Sequence, residues 1–410
     1  MVPVDDQLER LLQGIDTVLP EDELRARLAE ERPLRVKFGV DPTAPDVTLG
    51  WAAVFRLLRR FQELGHIAVL IVGDFTAQVG DPSGKSETRQ RLDATTVDAY
   101  ASSCLDVIKG LLLPERLEIR PNADWLARMT MSDVLELTAS LTVAQMLERA
   151  DFRDRFADNR PISMIEFMYP LLQGYDSVAV EADVELGGAD QLWNLMIARS
   201  VQARYGQRPQ VAMTVPLLVG TDGERKMSQS YGNYISVRDG PDDMFGKTMS
   251  LPDAAMEEWF VLAAGWKEAA AGALIAEVAA GKRHPSEAKR LLAREVVSIY
   301  WGTEAASAAE EAFDALFRRG EVPEEVDAVA VPFDVDVIQL PELLESAGLV
   351  GSRSEARRLI QQGAVKVDGE KLTEHAVASD DLVGKILQVG KRRFVRVTSS
   401  AEASASGEAP

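Results

Sequence analysis

Leu34-Arg35-Val36-Lys37-Phe38-Gly39-Val40-Asp41-Pro42-Thr43-Ala44-Pro45-Asp46-Val47-Thr48-Leu49-Gly50-Trp51 runs from an apolar strand through a Pro- and Asp-rich turn into a helix. Apolar residues at helical spacing continue to about Leu64, Gly65 caps the helix, and Ile67 to Val72 reads as the next strand. Strand, helix, strand in this order predicts an α/β fold with a doubly wound parallel sheet. Ligands of such sheets sit at the carboxyl ends of the strands, where Gly39 to Asp46 and Gly73 to Gly84 fall.

On either side of this unit the pattern changes. Asp5 to Glu31 reads as helices rich in Leu, Glu and Arg. Leu126 to Arg204 is mainly helical, interrupted at Leu186 to Gln191, and Val211 to Val219 reads as a further strand. Asp242 to Arg319 is helical and Ala/Glu-rich, Glu321 to Asp336 reads as a linker, and Val337 to Val397 carries a helix and strand pattern of its own. The Ser/Ala/Gly-rich stretch from Ser399 to Pro410 has the composition of a disordered tail.

A length of 410 residues allows two or three domains, and a hydrophobic fraction of 46% supports real cores. No apolar run approaches the length of a membrane span, and no basic region followed by an apolar core opens the chain, so a cytoplasmic protein is expected. Cys104 is the single cysteine, which excludes an internal disulfide framework and a cysteine zinc site. Three histidines (His66, His284 and His375) leave little material for imidazole-based metal or triad chemistry. The net charge of −20 argues against a general nucleic-acid coat, although a local basic face is compatible with it.

Four segments carry candidate chemistry. The turn Asp41 to Trp51 meets a helix N-terminus, whose free N–H groups suit phosphate, and Gly50 permits close approach; an ordinary strand-to-helix connection has the same pattern. Gly73-Asp74-Phe75-Thr76-Ala77-Gln78-Val79-Gly80-Asp81-Pro82-Ser83-Gly84-Lys85 follows an apolar strand and brings Thr76, Asp81 and Lys85 to the sheet edge. Tyr169, Gln173 and Asp176 recur at i, i+4 and i+7 amid apolar neighbours, which describes either a lined pocket or a satisfied buried polar cluster. Lys226-Met227-Ser228-Gln229-Ser230 follows Gly220-Thr221-Asp222-Gly223, a loop from which a lysine can close on a polyphosphate.

In order and spacing these segments resemble the tyrosyl-tRNA synthetases of bacterial type, over nearly the whole chain. The matching stretches are Val36 to Asp46, Val72 to Gly84, Leu141 to Leu147, Tyr169 to Asp176, Gly187 to Gln191 and Lys226 to Ser228. The resemblance implies a Rossmann-like catalytic domain with a helical insertion over 1–236 and an all-α anticodon-binding domain over 237–322. A linker over 323–336, a small α+β S4-like domain over 337–398 and a tail over 399–410 complete it. It places Tyr169 and Gln173 on the α-amino group of tyrosine with Asp81 beside them, Asp176 on the phenol O–H, and Thr76 and Gln191 in the same pocket. A site built to bond a hydroxyl rejects the analogue lacking it, because Asp176 would be left unpaired. Gly39, Asp41, Gly50, Trp51, Gly188, Asp190, Met227 and Ser228 fall on nucleotide positions. Thr43, Thr48, Lys85, Arg89, Lys226 and Gln229 fall on positions that assist the reaction. Arg353, Arg357, Arg358, Lys391, Arg392 and Arg393 give the last domain an RNA-facing charge. The resemblance also implies ATP as co-substrate with Mg2+, no tightly bound cofactor, no dedicated metal site, and tRNA(Tyr) as partner. A homodimer with Leu126 to Arg149 near its interface follows from it too, with no membrane.

One departure stands out. The family signature His-hydrophobic-Gly-His is Thr48-Leu49-Gly50-Trp51 here, so both imidazoles are gone. Losing one transition-state donor costs on the order of 2–4 kcal/mol, roughly a hundred- to thousandfold in rate. Eukaryotic members carry an aromatic residue where Trp51 stands, and they also lack the lysine that Gln229 replaces. Two other readings therefore stand beside the ligase: a paralog that binds or ligates tyrosine or a phenolic analogue, and a non-catalytic RNA-binding protein.

Overall fold

The computed structural model describes residues 2–82, 93–316, 328–331, 337–390 and 393–399. They form two compact units, residues 1–306 and 307–410. No helix among the described residues is long and apolar enough to cross a membrane.

The first unit is built on a six-stranded sheet of β1 (Thr17–Leu19), β2 (Arg35–Val40), β3 (Ile67–Val72), β4 (Leu117–Pro121), β5 (Val184–Gly188) and β6 (Val211–Val215), in the order β1-β6-β5-β2-β3-β4. Strands β2 to β6 all run parallel to one another. The order turns back between β2 and β5, which opens a crevice at their carboxyl ends. The β2–β3 crossover is the helix Leu49–Glu63, which buries Ala53, Val54, Phe55, Leu57, Leu58 and Phe61. Phe55 meets Phe38 of β2 edge-on at 5.3 Å between ring centres. Gly65, at φ +104, makes the left-handed exit that a side chain would resist.

Two sequence expectations for this unit need correction. The N-terminal segment is not helical throughout: β1 lies between the helices Val4–Leu11 and Glu21–Leu28 and pairs antiparallel with β6. Thr17-Val18 is β-branched and Pro20 stops the strand, but three residues are too short a run to show alternation. β6 ends at Val215 rather than Val219, because Pro216 has no N–H to continue the ladder.

Helices Pro241–Met249, Met256–Leu262, Glu268–Ala279 and Pro285–Asp314 follow, the last broken at Gly302, φ +85. Arg56 joins this region to the crossover helix by donating to the carbonyls of Leu262 (2.9 Å) and Ala263 (2.5 Å). His66 is structural: its Nδ1 accepts from Leu34 N at 3.1 Å and its Nε2 faces Gln7 Oε1 at 3.0 Å. An accepting Nδ1 fixes the neutral tautomer with the proton on Nε2, and burial lowers the imidazole pKa to about 4.

In the second unit β7 (Ala328–Val331), β8 (Val337–Gln339), β9 (Val365–Val367), β10 (Glu370–Lys371), β11 (Ala376–Ala378), β12 (Ile386–Val389) and β13 (Arg393–Ser399) form two sheets, β10-β9-β12-β13-β7 and β11-β8. Leu340, Leu344, Ala356, Ile360, Val365, Leu387 and Val397 close its core. Residues 328–331, expected within a linker, instead add a parallel strand to β13. Ala-Val-Ala-Val has strand character, but the acidic, Pro-containing residues around it dominate the composition of the segment.

Candidate active site

The crevice between β2 and β5 holds a cavity of about 490 Å3 lined by residues from all four candidate segments, Thr43, Thr48, Asp81, Gly188 and Ser228 among them. At its centre Asp41, just past β2, accepts from Thr76 Oγ1 (2.7 Å) and Tyr169 Oη (2.8 Å). Gly73 makes this cradle possible, since a Cβ there would lie 1.9 Å from Asp41 Oδ1 and 2.4 Å from Thr76 Oγ1. Burial and the negative Asp41 and Asp81 hold the Tyr169 pKa well above its usual value. Its hydroxyl therefore keeps its proton on Asp41 and turns its lone pairs elsewhere.

The helix Met164–Ala179 lays Tyr169, Gln173 and Asp176 along one wall. Gly174 allows that helix to press on Leu192–Arg204, for a Cβ there would meet Val201 Cγ2 at 2.8 Å. Asp176 is buried and accepts from Trp125 Nε1 (2.8 Å) and Asn122 Nδ2 (3.2 Å). Burial pushes its carboxyl up to about 7, while Lys37, then Trp125 and Asn122, pull the other way. Gln173 Nε2 donates to Glu185 Oε1 at 3.1 Å, and its Oε1 is buried without a hydrogen-bond partner. A buried acceptor without a donor on a cavity wall fits a ligand ammonium. Gln191 is held by Asp81 Oδ2 (2.8 Å) and by Asn194 (2.9 Å).

At the opposite end Thr48 is the N-cap residue of the Leu49–Glu63 helix, buried and bridged to Ser236. Gly50 N faces Met227 Sδ at 3.2 Å, so the lysine loop rests on the turn. Gln229 Nε2 donates to Asp46 O at 2.6 Å, and Lys226 Nζ pairs with Asp190 Oδ2 at 2.7 Å. The loop base is fixed from behind: Val219 bridges Lys226, gives its N–H to Glu258 (2.8 Å) and receives Trp259 Nε1 (3.1 Å). Trp51 lines the cavity beside Thr43 and Thr48, and Gly39 leaves open space where a side chain would stand.

The site thus gathers every expected tyrosine residue and every expected nucleotide residue. Asp41, expected on the nucleotide, is bonded to two residues expected on tyrosine and joins the two ends. Lys85 and Arg89 lie outside the described residues, as do Lys391 and Arg392. Arg353, Arg357 and Arg358 share the helix Arg353–Gln361, where Arg357 and Arg358 are exposed. Arg353 is paired with Glu342 (2.6 Å) and Glu345 (2.9 Å), and Arg393 is bonded to the Leu349 carbonyl beside Glu355. The expected cationic face is therefore partly neutralised at those two positions. Sequence reasoning missed Lys37, Asn122, Trp125 and Glu185. For Lys37 and Glu185 a signal existed, since each interrupts a strand buried on both faces.

The chain is similar to known proteins over most of its length. The family model for class I tRNA synthetases (W and Y) matches residues 29–318, and the S4 domain model matches residues 340–381. The tyrosine–tRNA ligase of Moorella thermoacetica is 48% identical over 395 residues, 95% of each chain. That of Carboxydothermus hydrogenoformans is 45% identical over 97% of this chain and 99% of its own. The fold is shared with tyrosyl-tRNA synthetase from Aeropyrum pernix, with a TM-score of 0.61 and 21% identity over 76% of this chain and 98% of that one. With its sheet, crevice and lysine loop in these positions, the chain belongs to the class I tRNA synthetases of the tryptophan and tyrosine group.

Proposed function

We infer that the chain activates tyrosine with ATP and transfers the tyrosyl group to tRNA(Tyr). The observation that carries the choice of tyrosine is Asp176, a carboxylate at the buried end of the cavity with both its neighbours donating to it. A carboxylate so placed accepts a phenol O–H, and phenylalanine would strand it. The α-ammonium suits Gln173 Oε1 and the lone pairs of Tyr169 Oη at the other end of the wall. The substrate carboxylate then attacks the α-phosphorus of ATP; the bond to the β-phosphate oxygen breaks and pyrophosphate leaves. A ribose hydroxyl at the tRNA 3′ end attacks the resulting mixed anhydride, AMP departs, and the hydroxyl proton passes to solvent or phosphate. No protein nucleophile is needed; the site supplies position and charge.

Among the described residues, Lys226 is the cation on the cavity wall that can meet the departing phosphates once it exchanges Asp190 for them. Thr43 and Thr48 are the hydroxyls near the turn, and Trp51 offers a ring face for adenine. Magnesium is assigned to the ATP phosphates, because no group of three or more His, Cys, Asp or Glu side chains among the described residues is placed to hold an ion. Arg357 and Arg358 are assigned to tRNA phosphate, the catalytic role to 1–236 and anticodon binding to 237–322. Two copies pairing through the 131–164 region would cover the exposed Met131, Leu135, Val143, Phe156 and Met164.

Tyrosine-dependent exchange of labelled pyrophosphate into ATP tests activation, and tyrosyl transfer to tRNA(Tyr) tests the second step. Exchange above background is expected with tyrosine and not with phenylalanine. Its absence would overturn the reading.

A further inference from the structure

Behind the tyrosine wall lies a buried ion pair that the reaction itself does not use. Lys37 of β2 and Glu185 of β5 are registered neighbours in the parallel sheet, 2.9 Å apart from Nζ to Oε1, and essentially inaccessible. Lys37 Nζ also reaches Gln173 O (2.8 Å) and Ser177 Oγ (2.7 Å). An ammonium has three hydrogens, and these contacts engage all of them. Glu185 is equally occupied: its Oε1 also receives Gln173 Nε2, and its Oε2 receives Ser177 Oγ (3.2 Å) and Gln210 Nε2. Lys37 lines the cavity that Asp176 closes, yet it has no hydrogen left to offer a ligand. What it retains is its field.

The groups around Asp176 divide by sign. Trp125 and Asn122 approach from the segment after β4 as neutral donors; Lys37 of β2, bonded to Ser177 next to Asp176 and lining the same cavity, is the cation, and Glu185 of β5 the anion. Tyr169 lies on the same helix, with Asp41 and Asp81 around it. The attraction of Lys37 outweighs the opposing influence of Glu185 on the Asp176 carboxyl.

We propose that Lys37 is a positioning residue for substrate choice: a fixed cation at the back of the pocket that favours the charged form of Asp176, the form that accepts the phenol O–H of tyrosine. The proposal rests on tyrosine being the substrate.

The test is tyrosine-dependent pyrophosphate exchange by the full chain, followed as kcat/KM for tyrosine from pH 5.5 to 9. This quantity reports ionisations of the free protein. The unmodified chain is expected to show an acidic limb near pH 7, where the Asp176 carboxyl titrates. Glu185→Gln removes the opposing anion and moves the limb to lower pH. The double variant Lys37→Met, Glu185→Gln removes both members of the buried pair together, and it moves the limb up by about one pH unit. At pH 7 the double variant also loses roughly fivefold of the tyrosine-over-phenylalanine preference, because the ionised fraction of the carboxyl falls from about one half to about one tenth.

A packing role alone would lower kcat/KM at every pH without moving the limb, or would move it the same way in both variants. Either result overturns the proposal while tyrosine activation stands. No exchange by the unmodified chain overturns the activation reading, and the proposal with it.

Discussion

The two ends of the cavity are built on opposite plans. Around Asp176 the partners are buried or half-buried and hydrogen-bonded, and behind it a cation and an anion compensate each other within a parallel sheet. Around Thr48 to Trp51, beyond the backbone bridge to Ser236, the contacts are single ones: a methionine sulfur, a glutamine on a backbone carbonyl, and a lysine paired with a half-exposed carboxylate. The contrast separates two tasks. Recognising a hydroxyl needs an environment that does not relax, because relaxation would let the wrong substrate be accommodated. Handling a triphosphate that enters, reacts and leaves needs groups that exchange partners cheaply.

The largest expected effect comes from breaking the rigid end. Asp176→Ala removes the acceptor of the phenol O–H and strands that hydroxyl in a buried site. At about 4 kcal/mol for the lost charged hydrogen bond and the stranded hydroxyl together, kcat/KM for tyrosine in pyrophosphate exchange falls about a thousandfold. Little change there would mean the hydroxyl is read elsewhere. Lys226→Ala, at the exchanging end, removes a cation that meets charge developed only in the reaction. Its kcat falls about a hundredfold while the KM for tyrosine stays within about twofold, a split that steady-state kinetics resolves.

Thr48→Ala removes one neutral hydroxyl, and about tenfold of kcat goes with it. A loss as large as that of Lys226→Ala would show that Thr48 carries the full load of the histidine it replaces.

The smallest effect on activity sharpens the comparison by separating site from fold. The His66 pKa is near 4 folded against about 6.5 unfolded, so between those values the unfolded chain binds the extra proton. Stability is full above pH 6.5 and falls by on the order of 3 kcal/mol as pH drops to 4. Urea unfolding across this range should show the slope, and His66→Gln should flatten it while leaving exchange at pH 8 unchanged.

Much of this was legible from the chain alone. Ile67 to Val72 is a strand at the expected bounds and the crossover helix runs as its spacing predicts, because burial on one face or both leaves a period in the sequence. Tyr169, Gln173 and Asp176 were legible for the same reason, as an odd polar face on an apolar helix. Trp125 and Asn122 were not, since their contact with Asp176 spans 51 and 54 residues and depends on how β4 exits the sheet. β1 and β7 escaped because strands of three and four residues carry no readable alternation.

The registered pair of Lys37 and Glu185 also constrains how this chain can change. Replacing either residue alone leaves a buried charge without its counterpart, a penalty of about 3–5 kcal/mol against a stability of about 5–15 kcal/mol. A route to a different amino acid that begins at the back of this pocket therefore passes through a valley of poorly folded intermediates. Libraries that randomise one position at a time will select against most changes at either residue, and those that randomise both together can cross.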